Sequence, residues 1–360
     1  MNQPINVAII GAGIGGEHLN AYRQQPDRFH VKTVCDIDGT RAASIIDDDE
    51  IAVETDFDAV IADPAIDLVD ICLPPHLHFS NALLALKASK HVICEKPLAT
   101  SLREVDALMD EAARAGRKLF PVFQYRYGPA MDQLKALVDA GLAGKPFAAS
   151  LETHWNRGAD YYAVQWRGTW AGEQGGAVLG HAIHNHDLLM YIMGPVARLS
   201  AMTTTRVNDI ETEDCAAITF QMENGAVATS SITLGAATNT TRIRVCFEGL
   251  TAQSGTAPYA PANDVWTFKA RNPDKQDEID EVLASIAEGH SGFAGFFQAI
   301  SNSLNNIASN EISLEDGRRS IELVTAVYQA ARSQNSIALP LGSETQYYNG
   351  WLPSQDIKGT

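Results

Sequence analysis

Short, almost continuous apolar runs alternate with amphipathic segments along the first 125 residues. Apolar runs of this kind are typical of strands buried on both faces of a parallel sheet, and the segments between them have helical spacing. Strands are predicted at 5–10, 31–35, 68–73, 91–94 and 118–123, and helices at 17–25, 79–89 and 102–115. This alternation predicts an α/β domain with a doubly wound parallel sheet, which binds ligands at the carboxyl ends of its strands.

The pattern changes after residue 125. Predicted strands at 147–155, 200–206, 215–221, 226–233, 241–248 and 265–270 follow one another with few helices between them, which indicates a mostly antiparallel sheet. Helices are predicted at 129–140, 177–193, 293–309 and 314–333. We therefore expect two domains, residues 1–125 and a C-terminal α+β domain of residues 126–360 with a large open sheet, the last residues being candidates to pack back on the first domain.

A glycine-rich turn joins the first predicted strand to the first helix. Gly11 permits the tight turn, Gly13 lets the backbone approach a diphosphate, and Gly16 allows close packing of helix on strand. Ile14 lies at the helix N-terminus, where free N–H groups favour phosphate. Asp36 follows the second strand, 20 residues after Gly16, where a carboxylate accepts hydrogen bonds from ribose hydroxyls. The pattern predicts a Rossmann dinucleotide site, and repulsion between a carboxylate and a 2′-phosphate favours NAD over NADP.

Charge and composition limit the classes of partner that the protein is expected to bind. The net charge of −17 and the absence of a basic patch disfavour nucleic acid and anionic membrane surfaces. No window approaches about 18 uncharged apolar residues, the length of a membrane span, and the N-terminus lacks the features of a signal peptide, so we expect a cytoplasmic protein. The five cysteines are scattered without a CxxC pair, which predicts buried thiols rather than disulfides or a zinc site. Arg41 is expected to face solvent.

Further candidates follow the predicted strand ends of the first domain. Because ligands of doubly wound sheets bind at the carboxyl ends of strands, we expect the side chains there to contact a dinucleotide or the reacting group. These cofactor candidates are Leu73, Pro74, His76, His78, Glu95, Lys96 and Gln124.

Nearly the whole chain resembles the family of glucose–fructose oxidoreductase, inositol dehydrogenase and the rhizopine-catabolism proteins (Gfo/Idh/MocA). The resemblance implies a Rossmann domain joined to a sheet domain, whose open face mediates homodimers or homotetramers. The motifs that carry it are Gly11–Gly16, Ile71–His78, Glu95-Lys96-Pro97, Arg126, Trp166-Arg167, Gly175–Leu179 followed by His184 and Asp187, Glu315–Arg318 and Ala338-Leu339-Pro340.

The resemblance implies that Lys96 hydrogen-bonds the reacting oxygen and that His184 is the catalytic histidine. Removing a hydride from an alcohol also needs a base for the hydroxyl proton and a positive group for the developing alkoxide. An imidazole that titrates near neutrality and an ammonium group suit these tasks. We expect the two groups to meet beside the nicotinamide, with Pro97 fixing a tight turn in which a cis bond is an option.

The sequence departs from the family pattern at Gly180. Many members carry an aspartate at this position, four residues before the catalytic histidine. His181 lies roughly 60° from His184 around a regular helix, and either His181 or a substrate group takes over the aspartate's role, or His184 works without it. His186 lies about 200° from His184 on such a helix, so no metal site is expected. Asp187 either orients His184 or packs structurally.

Aromatic and planar hydrogen-bonding side chains are candidates for a substrate wall, because they suit a polyhydroxylated ring. Gln124, Trp155 and Arg157 are expected near strand ends. Arg157 or Arg167 is suited to holding a carboxylate or sulfonate on the sugar. The full set is Arg126, Tyr127, Trp155, Asn156, Arg157, Tyr161, Tyr162, Trp166 and Arg167, together with His184.

The predicted function is that of an NAD-dependent oxidoreductase, which transfers a hydride between the nicotinamide and a hydroxyl-bearing carbon of a sugar, sugar acid or cyclitol. One alternative is a glycoside hydrolase that uses bound NAD for transient oxidation and elimination. Another is a non-catalytic dinucleotide-binding regulator, which the presence of Lys96 and His184 disfavours.

Overall fold

The computed structural model describes residues 4–48, 50–287 and 289–353. Its strands are, in chain order, β1 (Ile5–Ile10), β2 (Phe29–Cys35), β3 (Ala52–Glu54), β4 (Leu68–Ile71), β5 (His91–Cys94), β6 (Leu119–Pro121), β7 (Pro146–Asn156), β8 (Val196–Thr204), β9 (Cys215–Met222), β10 (Val227–Thr233), β11 (Gly235–Phe247), β12 (Leu250–Gln253), β13 (Thr267–Ala270) and β14 (Ile337–Ala338).

The α-helices are α1 (Gly15–Arg23), α2 (Gly39–Ser44), α3 (Phe57–Ala62), α4 (His78–Lys87), α5 (Leu102–Ala115), α6 (Pro129–Asp139), α7 (Ala159–Tyr162), α8 (Trp170–Glu173), α9 (Ile183–Met193), α10 (Gln276–Ala284), α11 (Gly292–Leu304) and α12 (Leu314–Ser333). A π-helical turn, Val178–Ala182, leads directly into α9. None of the helices in the described ranges combines the length and the apolar run needed to cross a bilayer.

The chain divides into two compact units. The first consists of Met1–Phe123 and Phe293–Ile321, and the second of Gln124–Gly292 and Glu322–Thr360. The division at residue 125 that the sequence predicts assigns every later residue to the second domain, whereas the structure groups 293–321 with the first unit. Aromatic packing accounts for this grouping, since the rings of Phe297 and Tyr22 stack with centroids 4.0 Å apart. The last residues, the candidates for packing back on the first domain, are described as far as residue 353, and among them the buried Trp351 donates to the Gln174 carbonyl of the second unit at 2.7 Å.

The first unit contains the predicted parallel sheet. Its six strands have the order β3-β2-β1-β4-β5-β6, and every neighbouring pair is parallel. β1 is apolar on both faces, and its residues Val7, Ala8 and Ile9 have no exposed surface, as expected of a central strand. The strand order reverses between β1 and β4, and ligands of such sheets bind at the carboxyl ends of strands beside this reversal.

The second unit contains the predicted, mostly antiparallel sheet. Its eight strands have the order β13-β12-β11-β7-β10-β9-β8-β14. β10 and β7 pair in parallel, and the other neighbouring pairs among the described residues are antiparallel. β9 shows why the sequence predicts the sheet well, because its buried and exposed residues alternate strictly from Ala216 to Met222.

Candidate active site

The Gly11–Gly16 turn joins β1 to α1. Gly11 has a φ of +102°, and a Cβ at this position would lie 2.5 Å from the carbonyl oxygen of Cys72. Both features require glycine. A Cβ on Gly13 would meet nothing within 4 Å. The backbone at Gly13 therefore borders open space, and the N-terminus of α1, with N–H groups that lack helical partners, lies beside it.

The close packing predicted for Gly16 falls on Gly15 instead. A Cβ on Gly15 would lie 2.8 Å from Cγ2 of Ile9 in β1, whereas one on Gly16 would make only an ordinary contact of 3.6 Å with Ile45. The reason is that α1 begins at Gly15 and turns that residue toward the strand. The assignment of helix–strand packing to Gly16 was wrong, while Ile14 lies at the helix N-terminus as predicted.

Asp36 lies directly after β2 and is 6% exposed. Its Oδ2 accepts a hydrogen bond from the Ala12 amide at 2.8 Å, and its Oδ1 accepts one from the Asp38 amide at 2.9 Å. Asp36 is thereby tied to the glycine turn. These contacts place a carboxylate at the end of β2, the position from which ribose hydroxyls are bound in dinucleotide sites.

Arg41 was expected to face solvent, but its guanidinium binds Asp36. It lies in α2, and its Nε donates to Asp36 Oδ2 at 2.9 Å while a terminal nitrogen donates to Asp36 Oδ1. Burial by itself raises the pKa of Asp36, but the hydrogen bonds from Arg41 and the amides outweigh it and lower that pKa below its ordinary value. Asp36 is therefore charged near neutrality, and its carboxylate would repel the 2′-phosphate of NADP.

The loop after β4 contains four of the predicted cofactor contacts. The Leu73 side chain lies against the glycine turn, because a Cβ on Gly11 would be 3.3 Å from its Cδ2. Pro74 precedes a short 3₁₀ turn, in which His76 is exposed. His78 is 1% exposed, and its ring nitrogens lie 2.7 Å from the Pro97 carbonyl oxygen and 2.6 Å from that of Leu73. His78 thus connects two loops of the protein, which argues against the predicted cofactor contact.

Glu95 and Lys96 follow β5. The Lys96 amide donates to Glu95 Oε2 at 3.0 Å, and Glu95 Oε1 lies 3.2 Å from Nε2 of His18. Glu95 is 7% exposed, Lys96 is half-buried, and the Lys96–Pro97 peptide bond is cis. The backbone at Lys96 is therefore held by a buried carboxylate at the carboxyl end of a central strand.

A buried polar network beneath this segment was missed in the sequence. His18 of α1 and Asp70 of β4 are fully buried and lie 2.8 Å apart, and the Tyr22 hydroxyl donates to Asp70 at 2.9 Å. Burial by itself lowers the pKa of His18, but the nearby Asp70 carboxylate raises it well above its ordinary value. The two carboxylates, Asp70 and Glu95, therefore favour the protonated form of His18. The available signal was an aspartate inside the otherwise apolar strand β4.

Three side chains of this network come close enough to be considered as metal ligands. Ligand atoms of His18, Asp70 and Cys72 all lie within 4.8 Å of one another. However, Cys72 Sγ lies 3.4 Å from His18 Nδ1, and burial together with the Asp70 charge raises the pKa of Cys72 to about 12. Because metals bind the thiolate, these contacts favour a hydrogen-bonded network. The expectation that the protein has no metal site stays a prediction.

The second unit begins with a short turn, Gln124–Arg126, that packs on α9. Arg126 is 7% exposed, and its Nε and a terminal nitrogen donate to the two oxygens of the fully buried Asp187 at 2.8 and 2.6 Å. Its guanidinium also lies 4.9 Å from the Tyr191 ring centroid. This bidentate pair favours a structural role for Arg126 instead of the predicted substrate contact, and it gives Asp187 a partner other than His184.

One residue of this turn, Tyr125, packs against His184. The Tyr125 ring stacks on the imidazole with a centroid distance of 4.4 Å, and both residues are almost buried. Gln124 is half-buried, and its Oε1 accepts no hydrogen bond from the described residues. Tyr127 is 6% exposed, and its carbonyl accepts a hydrogen bond from Gly292. Gln124 remains a cofactor candidate, while the burial of Tyr127 favours packing.

The helix predicted at 177–193 is not regular. Residues Val178–Ala182 form the π-helical turn, and a regular helix starts only at Ile183. Fully buried by its neighbours, the Glu213 carboxylate accepts hydrogen bonds from the amides of Gly176 at 3.2 Å and Val178 at 3.0 Å. This carboxylate positions the start of the segment, and burial raises its pKa to about 7. A wider turn of this kind is a frequent feature of functional sites.

The three histidines of this segment face different partners. The His181 ring meets Trp155 edge to face at 5.4 Å, and His184 stacks on Tyr125. His186 Nε2 lies 3.0 Å from the hydroxyl of Ser230 in β10, and burial lowers its pKa to about 4. The divergence of His184 and His186 agrees with the helical angle, whereas the angle assigned to His181 assumed a regular helix and does not apply to the π turn.

Several predicted substrate residues come together beside His181. Arg157 and Arg167 both lie over the Tyr161 ring, with guanidinium carbons 5.2 and 3.8 Å from its centroid. Arg157 also lies 5.0 Å from the Trp155 centroid, and Arg167 lies 5.3 Å from that of Trp166. The His181 ring is 5.7 Å from Tyr161. We call Trp155, Arg157, Tyr161 and Arg167 the arginine–tyrosine cluster.

Comparison with known proteins places both units. A profile described as "Oxidoreductase family, NAD-binding Rossmann fold" matches residues 5–123, and one described as "GFO/IDH/MocA C-terminal domain" matches residues 131–252. Over 235 residues, the chain is 30% identical to the uncharacterized oxidoreductase YrbE of Bacillus subtilis, which covers 63% of this chain and 67% of YrbE.

Two further similarities extend over more of the chain. It is 26% identical to the myo-inositol 2-dehydrogenase of Thermotoga maritima over 291 residues, 78% of this chain and 82% of that protein. The crystal structure of the WlbA dehydrogenase from Bordetella pertussis, in complex with NADH and UDP-GlcNAcA, matches with a TM-score of 0.82 at 26% identity, covering 94% of this chain and 100% of WlbA.

Proposed function

Because the chain belongs to the Gfo/Idh/MocA family of oxidoreductases, we propose that it is an NAD-dependent dehydrogenase of a sugar, sugar acid or cyclitol. The observation that carries the proposal lies in the first unit, where the glycine turn after β1 and the Glu95-Lys96-Pro97 segment after β5 follow carboxyl ends of strands in one parallel sheet. The substrate class is supported by a relative named for myo-inositol and another crystallised with UDP-GlcNAcA.

The residues of the first unit fit NAD. The open space at Gly13 and the N-terminus of α1 suit the diphosphate, and the buried, charged Asp36 suits the adenosine ribose. Bound NAD supplies the group that takes the hydride from the carbinol carbon or returns it. The protein's own contribution is to bind and orient this group and to move the hydroxyl proton.

We assign that proton transfer to Lys96 and His184. The Lys96 ammonium hydrogen-bonds the reacting oxygen and stabilises negative charge on it, while the backbone at Lys96 is held by Glu95. The His184 imidazole accepts the hydroxyl proton during oxidation and returns it during reduction. Stacking on Tyr125 orients its ring. His181 is adjacent to the arginine–tyrosine cluster, and we place it at the substrate rather than in the proton transfer.

Incubation of the enzyme with NAD and a panel of sugars, sugar acids and cyclitols tests the proposal through the absorbance of NADH. We expect Lys96→Met and His184→Ala each to lower kcat by about 10²- to 10⁴-fold. If both groups act in the same step, the double variant is hardly slower than the worse single variant. Lys87→Met, which removes an exposed lysine of α4, is the matched control and keeps wild-type turnover. A folded, NADH-binding protein that is silent across the whole panel would contradict the proposal.

We also propose that the enzyme works in the cytoplasm as a homodimer or homotetramer built on the eight-stranded sheet. The five cysteines are free thiols, as is usual in reducing compartments. One face of the sheet carries exposed apolar side chains, among them Met202 of β8 and Val227 of β10, which are 73 and 54% exposed. Light scattering coupled to gel filtration measures the subunit count, and a monomer at micromolar concentration would contradict this assembly.

A further inference from the structure

We propose that the substrate carries an anionic group, a carboxylate or a phosphate, and that Arg157 and Arg167 of the arginine–tyrosine cluster bind it. The inference rests on the proposed function and narrows its substrate class from sugars in general to negatively charged sugars. The residues that carry it all lie in the second unit.

Arg167 has unused hydrogen-bonding capacity. Its guanidinium lies 3.8 Å from the Tyr161 ring centroid, and within the described residues it donates no hydrogen bond and pairs with no carboxylate. Its Nε is buried there without a partner. A guanidinium has five N–H donors in a planar fork, and a buried donor left unsatisfied is unfavourable. A planar anion bound along the Nε edge would satisfy this group with two parallel hydrogen bonds.

Arg157 is held in place beside it. Its terminal nitrogens donate to the Asn156 carbonyl at 2.8 Å, to Asn239 Oδ1 at 3.4 Å and to the Tyr259 hydroxyl at 2.9 Å. These contacts orient the guanidinium, yet its Nε is also buried without a partner among the described residues. The side chain therefore presents an oriented positive charge and does not have to be ordered by the ligand, which favours tight binding.

The charge balance of the chain also bears on this pair of arginines. The protein has 44 aspartates and glutamates against 27 lysines and arginines, so carboxylates are abundant. Some arginines pair with one, as Arg41 does with Asp36 and Arg126 with Asp187. Arg157 and Arg167, which share one aromatic ring, have no carboxylate partner in the described ranges. Two like charges this close repel each other, and an anionic ligand would remove that repulsion.

The position of the cluster connects it to the proposed chemistry. The His181 ring lies 5.7 Å from Tyr161 and 5.4 Å from Trp155, and His181 precedes His184 by three residues. Aromatic faces of this kind suit the apolar face of a sugar ring. The anionic group held by the two arginines would therefore set which way the ring faces, and so which hydroxyl is presented for oxidation.

Calorimetric titration of the NADH-loaded enzyme with matched sugars tests the inference. The pairs are glucose with glucuronate and galactose with galacturonate, and glucose 1-phosphate tests phosphate in place of carboxylate. We expect at least one charged sugar to bind 10-fold or more tightly than its neutral counterpart. Arg167→Gln should weaken that binding by about 10- to 100-fold without changing NADH affinity. Arg167→Lys keeps the charge but not the fork and should give an intermediate loss.

Arg271→Gln is the matched control, because its guanidinium, like that of Arg167, lies over an aromatic ring, that of Phe147, but Arg271 is exposed. It should leave sugar binding unchanged. Neutral sugars that bind as tightly as charged ones, or charged-sugar binding that survives Arg167→Gln, would overturn the inference. NADH formation is followed in parallel. Turnover without charge preference would refute the inference but leave the proposed function standing. Arginine-dependent binding of a charged sugar without turnover would support the inference but contradict the proposed function.

Discussion

The Gly11–Gly16 turn of the first unit and the segment Gly175–Ala182 of the second unit are held in place by different means. In the first, a backbone carbonyl occupies the place that a Cβ of Gly11 would need. In the second, the amides of the segment bind the Glu213 carboxylate, a titratable group. The comparison teaches that the nucleotide turn, whose carboxylate Asp36 has a lowered pKa, should be insensitive to pH near neutrality but intolerant of side chains, whereas the segment Gly175–Ala182 should respond to the charge of Glu213.

The largest effect is expected in α9, which follows the segment Gly175–Ala182 directly, where a buried charge loses its partner. Arg126→Met leaves Asp187 buried without its bidentate partner, which destabilises the protein by about 3–5 kcal/mol. Urea unfolding measures the change. Lys135→Met is the matched control, since it removes a lysine from an exposed pair with Asp139 and should cost less than about 1 kcal/mol. Equal effects of the two variants would show that α9 does not depend on its buried pair.

The next effect is the pH dependence that Glu213 confers. Its pKa is raised by burial from 4.5 to about 7, so the folded state holds a proton that the unfolded state releases above pH 4.5. The stabilisation is present at low pH and is lost as the pH rises toward 7, by on the order of 3 kcal/mol. In Glu213→Gln, this fall of the unfolding free energy with rising pH should be absent. Tyr328→Phe, which removes a hydrogen bond to the carboxylate, should move the fall to higher pH.

A pair of glycine substitutions tests the two roles of the nucleotide turn, folding and cofactor binding. Gly11→Ala should destabilise the protein by about 2–3 kcal/mol, because of its positive φ and the contact with Cys72. Gly13→Ala meets no neighbour and should leave the unfolding free energy unchanged, but the added methyl group should weaken NADH binding at least about 10-fold by keeping the diphosphate away from the backbone. Unaltered NADH affinity in Gly13→Ala would place the cofactor elsewhere.

The smallest effect concerns the position where the family aspartate is missing. A Cβ on Gly180 would meet nothing within 4 Å, so packing does not require glycine there. Gly180→Ala should stabilise the protein by about 0.5–1 kcal/mol through helix propensity. Gly176→Ala is its counterpart on the same segment, where the Cβ would lie 1.9 Å from the Glu213 carbonyl oxygen, and it should destabilise. Thermal unfolding distinguishes the two.

The fold was predictable because its signals are local. Period-two alternation in β9 and the continuous apolar run of β1 identify their sheets without reference to any partner strand. The glycine turn and Asp36 were likewise found from spacing within one βαβ unit. The boundaries of the helices were predicted less well. Because α1 begins at Gly15, the close contact with β1 falls on Gly15 and not on Gly16.

The contacts that shape the candidate site depend on tertiary pairing and left weaker signals. Asp187 is 61 residues from Arg126, and Asp70 is 52 residues from His18. Glu213 is 35 residues from the amide of Val178 that it binds. No periodicity reports such pairs. The π turn was missed as well, and the amide of Val178 at its start is bound by this carboxylate, which is distant in sequence.

The return of residues 293–321 to the first unit constrains how this protein is made. Phe297 stacks on Tyr22, and the Gln25 side chain donates to the Ala294 carbonyl at 2.9 Å. A ribosome that synthesises the chain from its N-terminus must therefore translate nearly the whole second unit before the aromatic face beside α1 is covered. Until then the nascent nucleotide-binding unit exposes an aromatic surface that chaperones can bind. A truncated protein ending at residue 123 would leave this surface exposed permanently.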